Sequence, residues 1–260
     1  MINNQETGDK KLAVLIDADN VPYSYVKEML EEIARYGTPT VKRIYADWTQ
    51  SSVSGWKACL LQNSITPIQQ YSYTYGKNST DSALIIDAMD ILYADKVDGF
   101  CIVSSDSDFT RLATRLREAG KTVIGIGEKK TPQPFITACD RFVYLENLKP
   151  EKQPTEEVKA DKKKSGTRSG SIKSSLLPSD VISLLLTAAD SVADESGWAF
   201  LADVGNLIMR QNPAFDSRSY GFNKLSKLIY ASNLFEIDVR ETGKSHVNHV
   251  YIRQKISRDK

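Results

Sequence analysis

One stretch, Gly99-Phe-Cys-Ile-Val-Ser-Ser-Asp-Ser-Asp-Phe109, constrains this chain more than any other. Phe100 to Val103 form an apolar, partly β-branched run short enough for a buried strand. Two serines follow, then Asp106 and Asp108. From Thr110 the spacing of Leu112, Leu116 and Ala119 is helical until Gly120 stops it. The acid pair therefore falls on the turn leaving a strand's carboxyl end, the edge where open parallel α/β sheets bind ligands. Carboxylates clustered there need water, a cation or hydrogen-bond donors, because burying them unpaired is costly.

The flanking sequence repeats this alternation of strand and helix. Residues 10–17 predict a first strand that ends on an acid. Val21-Pro22 opens a helix with Val26, Met29, Leu30 and Ile33 inward. Strands follow at 40–46, 67–73, 100–104, 122–126 and, as an edge strand, 141–145. Helices fall at 56–62, 81–93 and 111–119, with a short one before the last strand. The alternation implies an α/β fold with a mainly parallel sheet covered by helices on both faces.

Residues 148–175 contain no aromatic and few apolar side chains, and residues 151–175 hold 7 Lys+Arg against 4 Asp+Glu. Such a tract cannot bury enough surface to order itself, and it predicts a flexible basic linker. Beyond it, helices at 178–189, 202–211 and 219–232, an extended piece at 198–201 and a hairpin of 234–239 with 247–253 describe a small winged helix. That architecture is often used on nucleic acid.

Charge is balanced on either side of the linker, 17 basic to 19 acidic over 1–150 and 10 to 10 over 176–260, for a net +1. Any nucleic-acid contact must therefore come from local patches rather than overall field. The amino terminus lacks a signal peptide's apolar region, and no apolar run approaches the roughly 18 residues of a membrane span. Three scattered cysteines form neither a disulfide framework nor a zinc pattern. The expected location is cytoplasmic.

In a doubly wound sheet the strands ending at Asp17 and Asp106 would be neighbours, so their exit carboxylates can share a ligand. Asp81 opens the helix leading into the Asp106 strand, behind a cap at Ser79 or Thr80, where the helix dipole favours a carboxylate. Acids converging on one spot repel unless cations neutralise them, and oxygen-only donors suit Mg²⁺ or Mn²⁺. Bound there, such an ion activates water and steadies a leaving oxygen in phosphodiester hydrolysis. Asp81 as a plain cap, Asp19 as a turn-former and Asp87 as a supporting acid remain open readings. Tyr71, Tyr73 and Tyr75 could stack bases or pack under a helix. Gly125-Ile-Gly127 follows a late strand and is too little for a dinucleotide fingerprint. His246 and His249 are too few for a metal site.

Leu15-Ile-Asp-Ala-Asp-Asn20, Lys77-Asn-Ser-Thr-Asp81, Asp87-Ala-Met-Asp90 and Val103-Ser-Ser-Asp-Ser-Asp-Phe109 together resemble the motifs of the NYN domain, a PIN-like nuclease fold of the LabA-like group. The resemblance spans residues 10–147. It implies a metal-dependent ribonuclease, an endonuclease, whose Mg²⁺ or Mn²⁺ is held by Asp17, Asp81, Asp106 and Asp108. Asn20, Lys77, Ser104, Ser105 and Lys129 would then contact substrate. Residues 176–254, through Gly197-Trp-Ala-Phe-Leu-Ala-Asp-Val-Gly and Ser219-Tyr-Gly-Phe-Asn-Lys-Leu225, resemble a LOTUS (OST-HTH) domain. That family is a winged helix implicated in binding RNA and in some cases protein partners. Arg218, Tyr220, Lys224, Lys227 and Lys244 are its candidate RNA contacts, with Gly221 allowing a close helix approach.

Two other classes stay open. A non-catalytic RNA-binding or scaffolding protein would keep both folds without turnover. A phosphatase of the haloacid dehalogenase kind also starts from Asp-x-Asp after a strand, as Asp17-Ala-Asp19 does, but its downstream lysine motif and cap have no convincing counterpart.

Overall fold

The computed structural model describes residues 9–71, 79–148, 177–241 and 248–255. The chain divides into two compact units, Met1–Lys149 and Pro150–Lys260. The expected linker lies almost wholly outside the described residues.

In the first unit, β1 (Lys11–Asp17), β2 (Thr38–Ala46), β3 (Thr66–Gln69), β4 (Gly99–Val103), β5 (Thr122–Gly127) and β6 (Arg141–Tyr144) form one sheet. Its order is β3-β2-β1-β4-β5-β6 and every pairing is parallel. Leu12 to Ile16 are all fully buried, which is why that run shows no polar alternation: both faces are covered. On one face Val14, Ile16, Ile44, Cys101, Val103 and Ile126 pack with Met29 and Ile33 of α1 (Val26–Ile33) and Trp56 of α2 (Ser54–Leu60). The alternate residues, among them Leu15, Tyr45, Phe100 and Ile102, point the other way and are equally buried. That second face carries α3 (Ser79–Ala94), α4 (Thr110–Glu118) and α5 (Gln133–Ala138), whose Phe135 ring meets Phe109 and Phe142 at 6.5 and 5.9 Å.

Two local expectations change. Pro22 does not begin α1 but precedes a 3-10 turn, Tyr23–Tyr25, that leads into it. Strand β3 ends at Gln69, so Tyr71 lies past it and is 54% exposed, while Tyr73 and Tyr75 fall outside the described residues. Gly125 and Gly127 are explained by packing, since a Cβ on the first would press into the Phe142 ring and one on the second into the Ser104 carbonyl.

In the second unit α6 (Ser179–Ser191), α7 (Leu201–Gln211) and α8 (Leu225–Ser232) surround a core of Leu185, Val204, Ile208, Leu228 and Ile252. Strands β7 (Ala199–Phe200), β8 (Phe235–Glu241) and β9 (Asn248–Gln254) form an antiparallel sheet in the order β7-β9-β8. This is the expected winged helix. The single helix foreseen over 219–232 is instead a 3-10 turn, Ser217–Tyr220, then Gly221, then α8. Gly221 takes φ +82° to end that turn, and a Cβ there would meet nothing within 4 Å. Its role is conformational, not close helix approach.

Candidate metal-binding active site

β1 and β4 lie side by side with Ile16 opposite Val103, and the strand order reverses direction at this seam. Crevices at the carboxyl end of such a switch point are where open α/β sheets place their ligands. Asp81, from the first turn of α3, and Asp106 and Asp108, from the turn after β4, meet there. Each offers a carboxylate oxygen, and the three lie within 4.8 Å of one another.

Local chemistry shapes that turn. Asp106 is extended and accepts from the Asp108 amide at 2.9 Å, capping the 3-10 turn Ser107–Phe109 that feeds α4. The Asp106 amide donates to Ser104 Oγ at 3.1 Å. Asp81 is half-buried, and its carboxyl is pushed up to about 6. Burial is the largest cause, followed by the nearby carboxylates of Asp17, Asp106, Asp108 and Asp19. Crowded carboxylate oxygens with no cation of the described residues among them are the set a hard divalent ion fits, so Mg²⁺ or Mn²⁺ suits the residues present.

Asp17 stands behind this trio rather than within it. It is 2% exposed. Its Oδ2 accepts from Ser104 Oγ and from Asn20 Nδ2, each at 2.7 Å, and its Oδ1 from the Asp19 amide at 3.1 Å. Burial raises its pKa while those three donors oppose the rise. A carboxylate so enclosed is not placed for covalent attack on a phosphate, which removes the basis for the dehalogenase-type phosphatase.

The other expected substrate contacts are redistributed. Ser104 is fully buried and Ser105 is 7% exposed. The first hydroxyl is committed to Asp17, and the second accepts from the Glu128 amide at 2.9 Å, so both support the site from beneath. Asn20 turns its amide to Asp17. Lys129 is exposed, with its backbone amide donating to Glu146. Asp19, read as a possible turn-former, also accepts from Thr80 Oγ1 at 3.2 Å and so ties the β1 exit to the start of α3. Asp87 accepts from Arg43 and from the Tyr45 hydroxyl, binding α3 to β2 away from the trio. Lys77 lies outside the described residues.

Residues 11–146, just over half of the sequence, match the model of the NYN domain. The chain belongs to the NYN domain family. Residues 173–247 match the OST-HTH/LOTUS domain. An NYN domain is a nuclease-type fold, and an OST-HTH/LOTUS domain implies RNA binding. No curated protein matches the chain. Among solved structures, it is similar to a protein of unknown function from Vibrio parahaemolyticus, with 23% identity and a TM-score of 0.44 over 54% of this chain and 95% of that one. It is also similar to an uncharacterized protein from Nitrosomonas europaea, with 30% identity and a TM-score of 0.30 over 39% and 97%.

In the LOTUS domain, Arg218 is not a free cation. Its guanidinium grips Asp216 through Nε and Nη2 at 2.9 and 2.7 Å, closing the 3-10 turn. Tyr220 lies 6.0 Å from Phe215 and packs against the core. Lys224 and Lys227, three apart, are exposed at the start of α8. Three residues further on, Tyr230 is 55% exposed. The sequence reading missed it, although its spacing of three from Lys227 places the two side by side on α8. Lys244 lies outside the described residues.

Proposed function

We propose that this protein is a divalent-metal-dependent ribonuclease carrying its own RNA-binding winged helix. The observation that supports this best is the Asp81, Asp106 and Asp108 trio at the switch point of an NYN-family sheet.

Asp81, Asp106 and Asp108 would hold the ion, with Asp17 as a further acid behind them. Mg²⁺ or Mn²⁺ bound there supplies Lewis acidity, lowering the pKa of water and offsetting charge at phosphorus. Ser104 and Asn20 orient Asp17, and the Asp108 amide orients the Asp106 carboxylate. The amino terminus of α3 presents positive dipole to an incoming phosphate. Exposed Lys129 is assigned to substrate contact from its place in the loop after β5, and Lys77 to the same task from the sequence alone.

The domain division follows: nuclease over 10–147, linker over 148–175 and LOTUS domain over 176–254. Exposed Lys224 and Lys227, with Tyr230, supply phosphate and base contacts on α8. A tether between the domains raises the local RNA concentration at the nuclease. No helix among the described residues is long and apolar enough to cross a membrane. Free Cys59, Cys101 and Cys139 suit a reducing cytoplasm, and burial pushes the Cys139 thiol up to about 12.

The test is cleavage of structured and unstructured RNAs by the full chain with Mg²⁺, Mn²⁺ or chelator. Metal-dependent cutting that Asp106→Asn removes is expected. Equal cutting by wild type and variant overturns the assignment. RNA retention without cutting would instead favour a binding protein.

A further inference from the structure

We infer that a single RNA strand runs from the acid trio along the trough between α3 and α4, with its phosphates on Arg111 and Arg115. This rests on the nuclease reading only for where the strand begins.

Both helices start at the carboxyl edge of the sheet and run back across it. α3 rests on β1 and β2, whereas α4 rests on β5 and against α5. They therefore flank the β1–β4 seam, with the trio at the head of the gap.

Which side chains border that gap follows from helix geometry of about 100° per residue. Leu112, Ala113 and Leu116 turn α4's buried stripe to the sheet. Arg117 marks the flank toward α5: its Nη1 reaches the Ala138 carbonyl at 3.4 Å and its Nε pairs with Asp140 at 2.8 Å. By the same geometry Arg115 falls on the opposite flank, toward α3, and Arg111, one turn earlier, stands on that same side but further out toward solvent. Both are exposed, and neither enters an ion pair among the described residues. On α3, Asp87 marks the flank toward β2 through Arg43 and Tyr45. The other flank carries Ile85 and Met89, both half-buried.

One wall is thus cationic and the other apolar. Like charges four residues apart cost an isolated helix stability, and a cation in α4's first turn opposes the helix dipole. A phosphate chain relieves both. The two arginines rise about 6 Å along the axis, close to the separation of consecutive phosphates on an extended strand. Apolar Ile85 and Met89 accept base faces, which a duplex keeps stacked inside. The ligand class is therefore single-stranded RNA.

The experiment measures binding of the full chain to a labelled oligouridine in chelator, as a function of salt. Replacing both arginines, Arg111→Ala with Arg115→Ala, should reduce the magnitude of the log–log salt slope by about 1.4, or about 0.7 per phosphate contact on a single strand. The paired Arg→Lys variant should restore it, and Lys57→Ala on α2 should leave it unchanged. Ile85→Glu should weaken oligouridine binding and leave a duplex RNA unaffected. An unchanged slope in the double alanine variant, or an equal loss of duplex binding, overturns the trough. Asp106→Asn separates the two proposals. If the arginine-dependent slope persists where wild type shows no metal-dependent cutting, the nuclease reading fails and this one stands. Cutting that Asp106→Asn removes, with a slope the arginines do not change, sinks the trough and leaves the nuclease standing.

Discussion

Ser104 Oγ joins two acids of different kinds: it donates to the buried Asp17 at 2.7 Å and accepts from the amide of Asp106 at 3.1 Å. The hydroxyl couples the ends of β1 and β4. It keeps one carboxylate hydrogen-bonded inside and fixes the backbone that presents the other. Ser104→Ala should therefore destabilise the first domain by about 1–3 kcal/mol, the cost of depriving a buried acid of a donor. Urea midpoints should show it, with a fall in cleavage that Ser104→Cys repairs only partly.

Asp81 sets a pH dependence whose sign is fixed by its raised carboxyl. Folding moves it from the ordinary 3.8 to about 6, so the metal-free folded state holds this proton more tightly than the unfolded chain does. That contribution is complete below about pH 4 and is lost as pH climbs through about 6. Thermal melts of chelated protein should accordingly drop between about pH 5 and pH 7. Mn²⁺ should stabilise the protein most above about pH 6, where Asp81 has lost its proton.

Asp81→Asn should raise the melting temperature of chelated protein at neutral pH, because it removes a carboxylate from among like charges. The same change should abolish stabilisation by Mn²⁺ and cut cleavage at least about a hundredfold, within the several kcal/mol that a lost Lewis acid represents. A variant that melts lower without metal would contradict the repulsion argument.

Asp87→Ala should act on stability alone. It strips Arg43 and the buried Tyr45 hydroxyl of their shared acceptor, at a cost of about 1–3 kcal/mol in the urea transition. The temperature shift produced by Mn²⁺ should survive, because Asp87 is not one of the clustered acids.

Gly127→Ala tests the floor of the site. A Cβ there would stand 2.6 Å from the Ser104 carbonyl oxygen and 2.8 Å from Thr131 Oγ1. Backbone has to move, so a loss of about 1–3 kcal/mol is expected, together with reduced cleavage. Gly120→Ala meets no atom within 4 Å and should cost only its φ of +77°.

The alternation of apolar runs and helical stripes was enough to read six strands, the helices between them and a separate winged helix. It failed where periodicity and backbone conformation disagree. Residues 219–232 carry apolar spacing throughout, yet Gly221 adopts a left-handed conformation and Lys224 is extended, so one expected helix became two elements. Arg218 read as a phosphate contact because nothing in its spacing reveals that the nearby Asp216 carboxylate is turned back onto it. Arg111 and Arg115 carry no signal in the sequence, because cations at helical spacing look the same whether they face bulk water or a trough.

From sequence alone came the parallel α/β architecture, the winged helix and the acids at strand ends, because strand and helix periods and exit residues are local properties. Only the tertiary structure separated Asp17 from the clustered trio. Three acids drawn from two places in the chain meet, with Asp17 from a third enclosed behind them, through the pairing of β1 with β4 and the seating of α3. Which carboxylate is enclosed by donors and which stays open to an ion depends on that packing.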